Sequence, residues 1–84
     1  MVSVIIRNFN EEEYIGFAIQ SVLDHIEDPE IIIVDNNSTD SSLGVVRLFN
    51  DRCDIKIIKI DAYSPGKSIN MGVNAASFDN ILIL

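Results

Sequence analysis

Two kinds of apolar spacing alternate along this chain, and the alternation restricts its fold more than any other feature. Short, nearly unbroken apolar runs, as in Val2 to Ile6 and Ile31 to Asp35, are typical of strands covered on both faces. Between and after them, apolar residues recur at helical spacing from Tyr14 to Ile26 and from Leu43 to Leu48. Alternating strands and helices with buried strands favour parallel pairing through right-handed crossovers. We therefore predict an α/β fold.

The second half of the chain continues the same cycle. Asp54 to Ile60 predicts a third strand, and the lysines within it favour a sheet edge, where charge discourages unwanted pairing. A third helix follows, with a face of small and apolar residues that allows close packing on a sheet: Ile69, Gly72, Val73 and Ala76. Ile81 to Leu84 predicts the start of a fourth strand.

Local signals predict where the helices begin and end. Asn10, with Glu13 three residues later, matches a capping-box pattern for the first helix, and Pro29 follows its end. Ser38 or Thr39 is suited to cap the second helix, which we expect to run to about Phe49. Its candidate inward residues are Leu43, Val46 and Leu48.

Composition limits the partners and the compartment. Six basic residues against thirteen acidic ones give a net charge of −7, which argues against a nucleic-acid partner. A phosphate-bearing ligand would need a few well-placed basic groups or a metal cation. No apolar run approaches the length of a membrane span, and no signal-peptide pattern opens the chain, so a cytoplasmic protein is expected. Cys53 is the single cysteine and is predicted to be a packing residue.

Ligands of open α/β sheets bind outside the carboxyl ends of the strands. The segments to inspect are therefore 7–11, 35–40 and 61–70, which hold most of the polar candidates. Gly66-Lys67-Ser68 has the form of the end of a phosphate-binding P-loop, but Asp61 stands where that motif needs its first glycine. There is also no G-x-G-x-x-G fingerprint. Asp35 ends an apolar strand, where it could either contact a nucleotide or cap the turn.

Three segments, in order, carry a family resemblance over nearly the whole chain. One is VSVIIRNFNE, residues 2–11, which resembles the opening strand of family 2 glycosyltransferases, commonly V-S-V-I-I-P-T-Y-N-E. The next is IIIVDNNSTDS, residues 31–41, similar to their I-I-V-V-D-D-G-S-T-D-G. The last is GKSINMGVNAA, residues 66–76, similar to their G-x-x-x-A-x-N-x-G-x-x-x-A helix. The resemblance implies the N-terminal part of a GT-A fold, with a three-layer parallel sheet of about four strands in the order 3-2-1-4 and helices on both faces.

The resemblance also implies a function, the transfer of a sugar from a nucleotide-diphosphate sugar, such as a UDP- or GDP-sugar, to an acceptor. It assigns Asp35 to the nucleotide base, Phe9 to stacking on that base and Glu11 to the nucleoside. Arg7 replaces the family's usual proline and puts a charge at the strand end, while Phe9 replaces a tyrosine and keeps its stacking face. Lys67 and Asn70, at the start of the third helix, could meet the diphosphate.

Family members follow the fourth strand with a D-x-D-like carboxylate pair, which binds a divalent metal such as Mn²⁺ or Mg²⁺ on the diphosphate. The match ends at Leu84, before that pair, so residues 1–84 are expected to hold a donor-side half-site without catalytic residues. We expect these 84 residues alone not to turn over. Whether the parent protein docks on a membrane is left open.

Two other protein classes are compatible with parts of the sequence, and the predicted strand order leaves an apolar edge. A flavodoxin-like or receiver-like interaction module would use acidic groups such as Glu11, Glu12 and Asp61, which imitate a receiver loosely. A nucleotidyltransferase would carry a glycine-rich basic loop after its first strand, which this chain lacks. With strand order 3-2-1-4, residues 81–84 form an apolar edge, which predicts self-association through that edge.

Overall fold

The structure is a computed structural model that describes residues 1–61 and 65–84, with only the backbone of Pro65. Within these residues, seven elements follow one another: β1 Val2–Asn8, α1 Ile15–His25, β2 Glu30–Asp35, α2 Ser42–Arg47, β3 Asp54–Lys59, α3 Pro65–Ala75 and β4 Asn80–Ile83. Each predicted strand and helix is present, with bounds that differ from the prediction by a few residues.

The four strands form one parallel sheet in the order β3-β2-β1-β4. β1 lies at the centre and pairs with β2 on one side and with β4 on the other, while β2 also pairs with β3. The predicted strand order and the edge position of β3 are therefore confirmed. β4 forms the opposite edge, with Val4 of β1 beside Leu82.

Alternate residues of the two central strands pack into two separate cores, one on each face of the sheet. Val4 of β1 and Ile31 of β2 face the larger core, which α1 and α2 complete. Ile5 and Ile32, one position further along each strand, face the smaller core beneath α3. The period of two in a strand produces this division. Helices thus cover both faces, which confirms the three-layer α/β prediction.

The capping prediction for α1 is wrong. The helix begins at Ile15, and Tyr14 before it makes no side-chain cap hydrogen bond. Asn10 instead adopts a left-handed backbone with φ 50°, and its Oδ1 accepts hydrogen bonds from the backbone N–H groups of Thr39 and Asp40. Asparagine tolerates this conformation better than most residues. The Asn10 side chain therefore bonds to the loop after β2 instead of capping α1.

The second helix is shorter than predicted, and its cap differs. It begins after Ser41 rather than after Ser38 or Thr39, and it ends at Arg47 rather than near Phe49. Ser38 is already bonded to the strand end before it, so it is not used as a cap. Val46 is fully buried as expected, but Leu48 lies beyond the helix and is 75% exposed, so its inward assignment is wrong.

Two further inward assignments are corrected. Tyr14 is 65% exposed because it precedes the first helical turn, and Val73 of α3 is 39% exposed. Gly72, by contrast, lies so close to the sheet that a Cβ atom there would be 2.7 Å from Cγ2 of Ile5. Cys53 is half-buried against the larger core, as expected for a packing residue, and burial raises the pKa of its thiol. In the part of the chain that the structure describes, no helix is long and apolar enough to cross a membrane.

Candidate functional site

A cavity of about 480 Å³ opens at the carboxyl ends of β1, β2 and β4. Its lining comes from three strand ends and from the first turns of α3: Arg7, Asn8, Phe9, Glu11, Val34, Asn36, Ser68 and Leu84. The helix after β1 packs on one face of the sheet and the helix before β4 on the other. The cavity therefore lies at the topological switch point, the usual ligand site of an open α/β sheet. Its size falls within the range of small-molecule pockets.

A buried cluster of polar side chains lies behind one wall of the cavity, which Asn8 lines. Asp35 is 1% exposed, and its Oδ1 accepts hydrogen bonds from Nδ2 of Asn8 (2.8 Å) and from the hydroxyl of Ser38 (2.7 Å). Its Oδ2 accepts the backbone N–H of Ser38 at 2.9 Å. Because a buried carboxylate is stable only when such donors surround it, the cluster fixes the ends of β1 and β2 relative to each other.

Further hydrogen bonds join the loop after β1 to the loop after β2. The hydroxyl of Ser38 accepts the backbone N–H of Asn10, and the hydroxyl of Ser42 accepts that of Glu11. Oδ2 of Asp40 accepts the backbone N–H of Glu12 at 3.1 Å. These contacts run between segments about 30 residues apart in sequence. The loop that carries Phe9 and Glu11 is therefore held by the second loop as well as by the first turn of α1, where the backbone N–H of Ile15 donates to the carbonyl oxygen of Glu11.

The carboxyl of Asp40 stabilises this junction. Burial opposes its charge, but hydrogen bonds from the hydroxyl and backbone N–H of Ser42 and from the backbone N–H of Glu12 outweigh burial and lower the pKa of Asp40 below its usual value. A carboxylate that accepts several backbone N–H groups keeps its charge for this reason. Asp40 thus acts within the loop and does not line the cavity.

Two polar atoms in the cavity wall lack partners. Among the described residues, the buried side-chain atoms without a hydrogen-bond partner are Oδ1 of Asn8 and Oγ of Ser68. Asn8 is 2% exposed and Ser68 is 1% exposed, and both line the cavity. An unsatisfied buried polar group costs about 1–3 kcal/mol of folding free energy, so each is a candidate for a ligand contact.

The structure brings some of the predicted site residues together and leaves others outside. Arg7, Phe9 and Glu11 line the cavity, and Phe9 is 54% exposed. Asp35 lies behind the wall, where both of its oxygens accept hydrogen bonds from the protein, so its contact with a base remains a prediction. The remaining two candidates, Lys67 and Asn70, are exposed on α3 and are not among the lining residues. Of the predicted segment 61–70, residues 62–64 lie outside the described residues.

Sequence reasoning missed several lining residues, chiefly Asn8, Asn36 and Ser68. Asn8 directly precedes Phe9, and Asn36 directly follows Asp35. From sequence, Phe9 and Asp35 were assigned to the site and their two neighbours were not. The register pairs Asn8 with Asp35, so a predicted parallel alignment of the two strand ends could have joined them. Ser68 carried no such signal, because only the packing of α3 brings it to the sheet.

The residues present do not suit a metal centre. Within 1–61 and 65–84, no three His, Cys, Asp or Glu side chains come together in a way that could hold a metal ion. The carboxylate oxygens of Asp35 and Asp40 accept hydrogen bonds from protein donors. Among the described residues that line the cavity, Glu11 supplies the one carboxylate side chain.

Fold and cavity together define the class: an open, parallel α/β domain with a cavity at its switch point, where nucleotide-binding domains hold their ligands. The model of the glycosyl transferase family 2 matches residues 3–84. The chain belongs to this family, and its fold is the GT-A fold.

Relatives agree with the family. GgaA, a minor teichoic acid biosynthesis protein of Bacillus subtilis, is 35% identical over 83 residues, which cover 92% of this chain and 19% of that protein. An uncharacterized glycosyltransferase of a Nostoc species is 37% identical over 86 residues, which cover 99% of this chain and 27% of that protein. The chain thus spans about a fifth to a quarter of the length of these relatives.

Solved structures give the same result. A crystal structure of Staphylococcus aureus TarS superposes with a TM-score of 0.89 and 26% identity, over 99% of this chain and 26% of that one. The same protein is known in complex with UDP-GlcNAc, with a TM-score of 0.88. A mannosyltransferase of Pyrobaculum calidifontis, in complex with GDP-Man and Mn²⁺, matches at 0.78 over 90% of this chain and 24% of that one. At 22% identity, this last likeness supports the fold alone.

Proposed function

We propose that this chain forms the donor-nucleotide half-site of a glycosyltransferase that moves a sugar from a nucleotide-diphosphate sugar to an acceptor. The observation that carries the proposal is the cavity at the carboxyl ends of β1, β2 and β4, where a stacking face, a cation and amide groups meet. Membership of glycosyl transferase family 2 supports it, as does the likeness to TarS, which binds UDP-GlcNAc.

The lining residues fit the parts of a nucleoside. Phe9 presents an exposed aromatic ring at the cavity, and such a ring is suited to stacking on a base. Glu11 at the same rim can accept hydrogen bonds from ribose hydroxyls. Asn36 adds an amide that can both donate and accept.

The diphosphate needs positive charge in a chain whose net charge is −7. Arg7 lines the cavity, and a guanidinium binds phosphate oxygens well. Lys67 lies in the first turn of α3, where the helix dipole also favours an anion, and Asn70 follows in the next turn. We propose that a divalent cation completes the charge balance in the complete domain, with ligands outside the residues described here.

An NMR titration of the chain with UDP, GDP and CDP, with and without Mn²⁺, tests this proposal. We expect shifts in the loops after β1 and β2. Phe9→Ala should weaken binding about tenfold to a hundredfold, because stacking of one base on an aromatic ring is worth about 1–3 kcal/mol. The substitution should leave the fold intact, since Phe9 is half-exposed.

Phe17→Ala is the matched control. Phe17 is an exposed aromatic residue of α1, 77% accessible, and it does not line the cavity. Its loss should leave nucleotide binding unchanged. A folded chain that shows no shifts with any nucleotide would refute the proposed function, as would equal losses in the two variants.

We also propose that the chain associates with itself through β4. This strand has a partner on one side only, and its four residues are all exposed. Ile81, Leu82 and Ile83 are 36–44% accessible, which leaves an apolar strand edge with unpaired backbone groups. Such an edge is a template for pairing with another chain.

A further inference from the structure

Three successive backbone N–H groups of the loop after β1, those of residues 10–12, are each accepted by a side chain of the loop after β2 or of the first residue of α2. In the same order, the acceptors are the hydroxyl of Ser38, the hydroxyl of Ser42 and Oδ2 of Asp40. Donors and acceptors lie 28 to 31 positions apart in sequence, so no local turn brings them together. The second loop therefore fixes much of the shape of the first.

Two of these acceptors are also bonded to each other. Ser42 is fully buried, and its hydroxyl and its backbone N–H both donate to Oδ1 of Asp40. The single proton of the hydroxyl points to Asp40, which leaves the oxygen lone pairs to accept the N–H of Glu11 at 3.0 Å. The other carboxylate oxygen of Asp40 accepts the N–H of Glu12 at 3.1 Å. We call these four bonds the loop clasp.

The loop clasp holds the segment that presents Phe9 and Glu11 to the cavity. Both side chains line the cavity, both are exposed, and neither belongs to a hydrophobic core. The backbone of Glu11 is bonded at both of its polar groups, since its N–H donates to Ser42 and its carbonyl oxygen accepts the N–H of Ile15. A loop that is ordered before a ligand arrives loses less conformational entropy when the ligand binds.

We propose that Ser42 and Asp40 are positioning residues for donor binding, which hold the loop after β1 in the conformation that places Phe9 and Glu11 against the nucleoside. The inference rests on the proposed function and goes beyond it, because neither Ser42 nor Asp40 is among the residues that line the cavity. Their effect on nucleotide affinity is exerted through the loop. If the loop adopts its binding conformation for only a fraction of the time, the apparent affinity falls by that fraction.

Two variants break the loop clasp at different bonds. Ser42→Ala removes the acceptor of the Glu11 N–H and both proton and oxygen of the hydroxyl. Asp40→Asn keeps an oxygen for the two donors of Ser42, but its amide nitrogen then faces the N–H of Glu12 and cannot accept it. The amide protons of Glu11 and Glu12 should exchange with solvent faster in Ser42→Ala, and that of Glu12 in Asp40→Asn.

NMR titration with the tightest-binding of UDP, GDP and CDP measures the effect on affinity. We expect Ser42→Ala to weaken binding about tenfold, as follows when the loop keeps its binding conformation about a tenth of the time. Asp40→Asn should also weaken binding, by about threefold to tenfold, because one bond of the loop clasp is lost. Removal of a negative charge would by itself strengthen the binding of an anionic nucleotide. Weaker binding by Asp40→Asn therefore cannot come from the lost charge.

Ser41→Ala and Glu13→Gln are the matched controls. Ser41 directly precedes Ser42, is exposed and makes no side-chain cap hydrogen bond. Glu13 is exposed and close in sequence to the same loop, so Glu13→Gln loses the charge that Asp40→Asn loses without breaking the loop clasp. Both controls should bind the nucleotide at least as tightly as the unsubstituted chain.

A double-mutant cycle with Phe9→Ala separates positioning from a general loss of structure. Once the ring is absent, Ser42→Ala should weaken binding by less than about threefold, because the main side chain that the loop positions has been removed. A substitution that only lowers the stability of the fold would cost the same factor with and without the ring. Circular dichroism should show that each variant is folded.

The outcomes separate this inference from the proposed function. A folded Ser42→Ala variant that binds nucleotide as tightly as the unsubstituted chain overturns the inference and leaves the proposed function standing, and equal losses on both sides of the cycle do the same. If Ser42→Ala does not fold, Asp40→Asn decides the question in the same cycle, since Asp40 is half-buried and the substitution preserves its shape. Absence of binding by any nucleotide to the unsubstituted chain overturns both.

Discussion

Of the four glycines, Gly72 has the least room for a side chain. A Cβ atom there would be 2.7 Å from Cγ2 and 3.0 Å from Cδ1 of Ile5, which is fully buried in the smaller core. Gly72→Ala should therefore force α3 away from the sheet and lower the free energy of unfolding. Overpacking of this kind costs about 1–3 kcal/mol, partly offset by about 1 kcal/mol of better helix propensity.

Gly44→Ala is the matched control for this prediction. Gly44 lies in α2 with no atom within 4 Å of an added Cβ, so alanine there should gain helix propensity without a clash. In urea unfolding, the two variants should differ by about 1–3 kcal/mol, with Gly72→Ala the less stable. Equal free energies of unfolding would mean that α3 can adjust at no cost.

At the same scale, the sequence shows which residues are apolar but not which polar atoms meet. The nearly unbroken apolar runs of β1 and β2 were sufficient to predict a sheet covered on both faces, because successive side chains of a strand point to opposite faces. The hydrogen bond from Asn8 to Asp35 was not predictable from sequence spacing alone, since these residues are 27 positions apart. The contact of Asp35 with a nucleotide base stays a prediction, and in the structure its carboxylate accepts hydrogen bonds from Asn8 and Ser38.

Among the elements, β4 gives the clearest test of a proposal. Ile83 is 44% exposed on the outer strand, and a lysine there should discourage pairing between edges. If the chain associates through β4, light scattering should show a mass that rises with concentration for the unsubstituted chain and a monomer for Ile83→Lys.

Leu48→Lys controls for the loss of an exposed apolar side chain. Leu48 is 75% exposed just after α2, away from the sheet edge, so its replacement should not change the association. Circular dichroism should show that each variant keeps its fold. An oligomeric state that is the same in all three chains would count against pairing through β4.

Strands were predicted more reliably than loops, for a physical reason. The spacing of apolar residues within a strand or helix is enough to predict that element, but a loop conformation depends on partners elsewhere in the chain. Asn10 illustrates this point, since the capping pattern around it is present in the sequence while its side chain bonds to residues 39 and 40. The site residues lie on these loops, and therefore the fold could be predicted in detail but the lining of the cavity only in part.

At the scale of the whole molecule, the buried carboxylate of Glu30 links three segments at the end of the sheet opposite the cavity. Oε1 of Glu30 accepts hydrogen bonds from the hydroxyl of Ser3 and the backbone N–H of Ser77, and Oε2 accepts Nζ of Lys56 at 2.8 Å. These partners lie on β1, on the connection to β4 and on β3. Lys56 was predicted only to protect an edge strand, but it also neutralises this buried charge.

The Glu30 cluster makes the stability of the fold depend on pH. Burial opposes the charge of Glu30, but the hydrogen bonds from Lys56, Ser77 and Ser3 outweigh burial and lower its pKa from 4.5 to about 2. Between these two pH values the unfolded chain binds more protons than the folded one. The contribution of Glu30 is therefore complete above about pH 4.5 and is lost as the pH falls toward 2.

Glu30→Gln should remove this contribution. At pH 7 we expect the variant to lose about 1–3 kcal/mol of unfolding free energy, the usual worth of hydrogen bonds to a charged group. Urea unfolding between pH 2.5 and pH 7, a range set by the shift of Glu30, should show a smaller acid loss for the variant than for the unsubstituted chain. Some acid loss should remain, because the pKa of Asp40 is also lowered in the folded state. Glu27→Gln, at an exposed position, is the control and should reproduce the pH dependence of the unfolding free energy of the unsubstituted chain. The same pH dependence for Glu30→Gln and the unsubstituted chain would show that the cluster does not hold the sheet together.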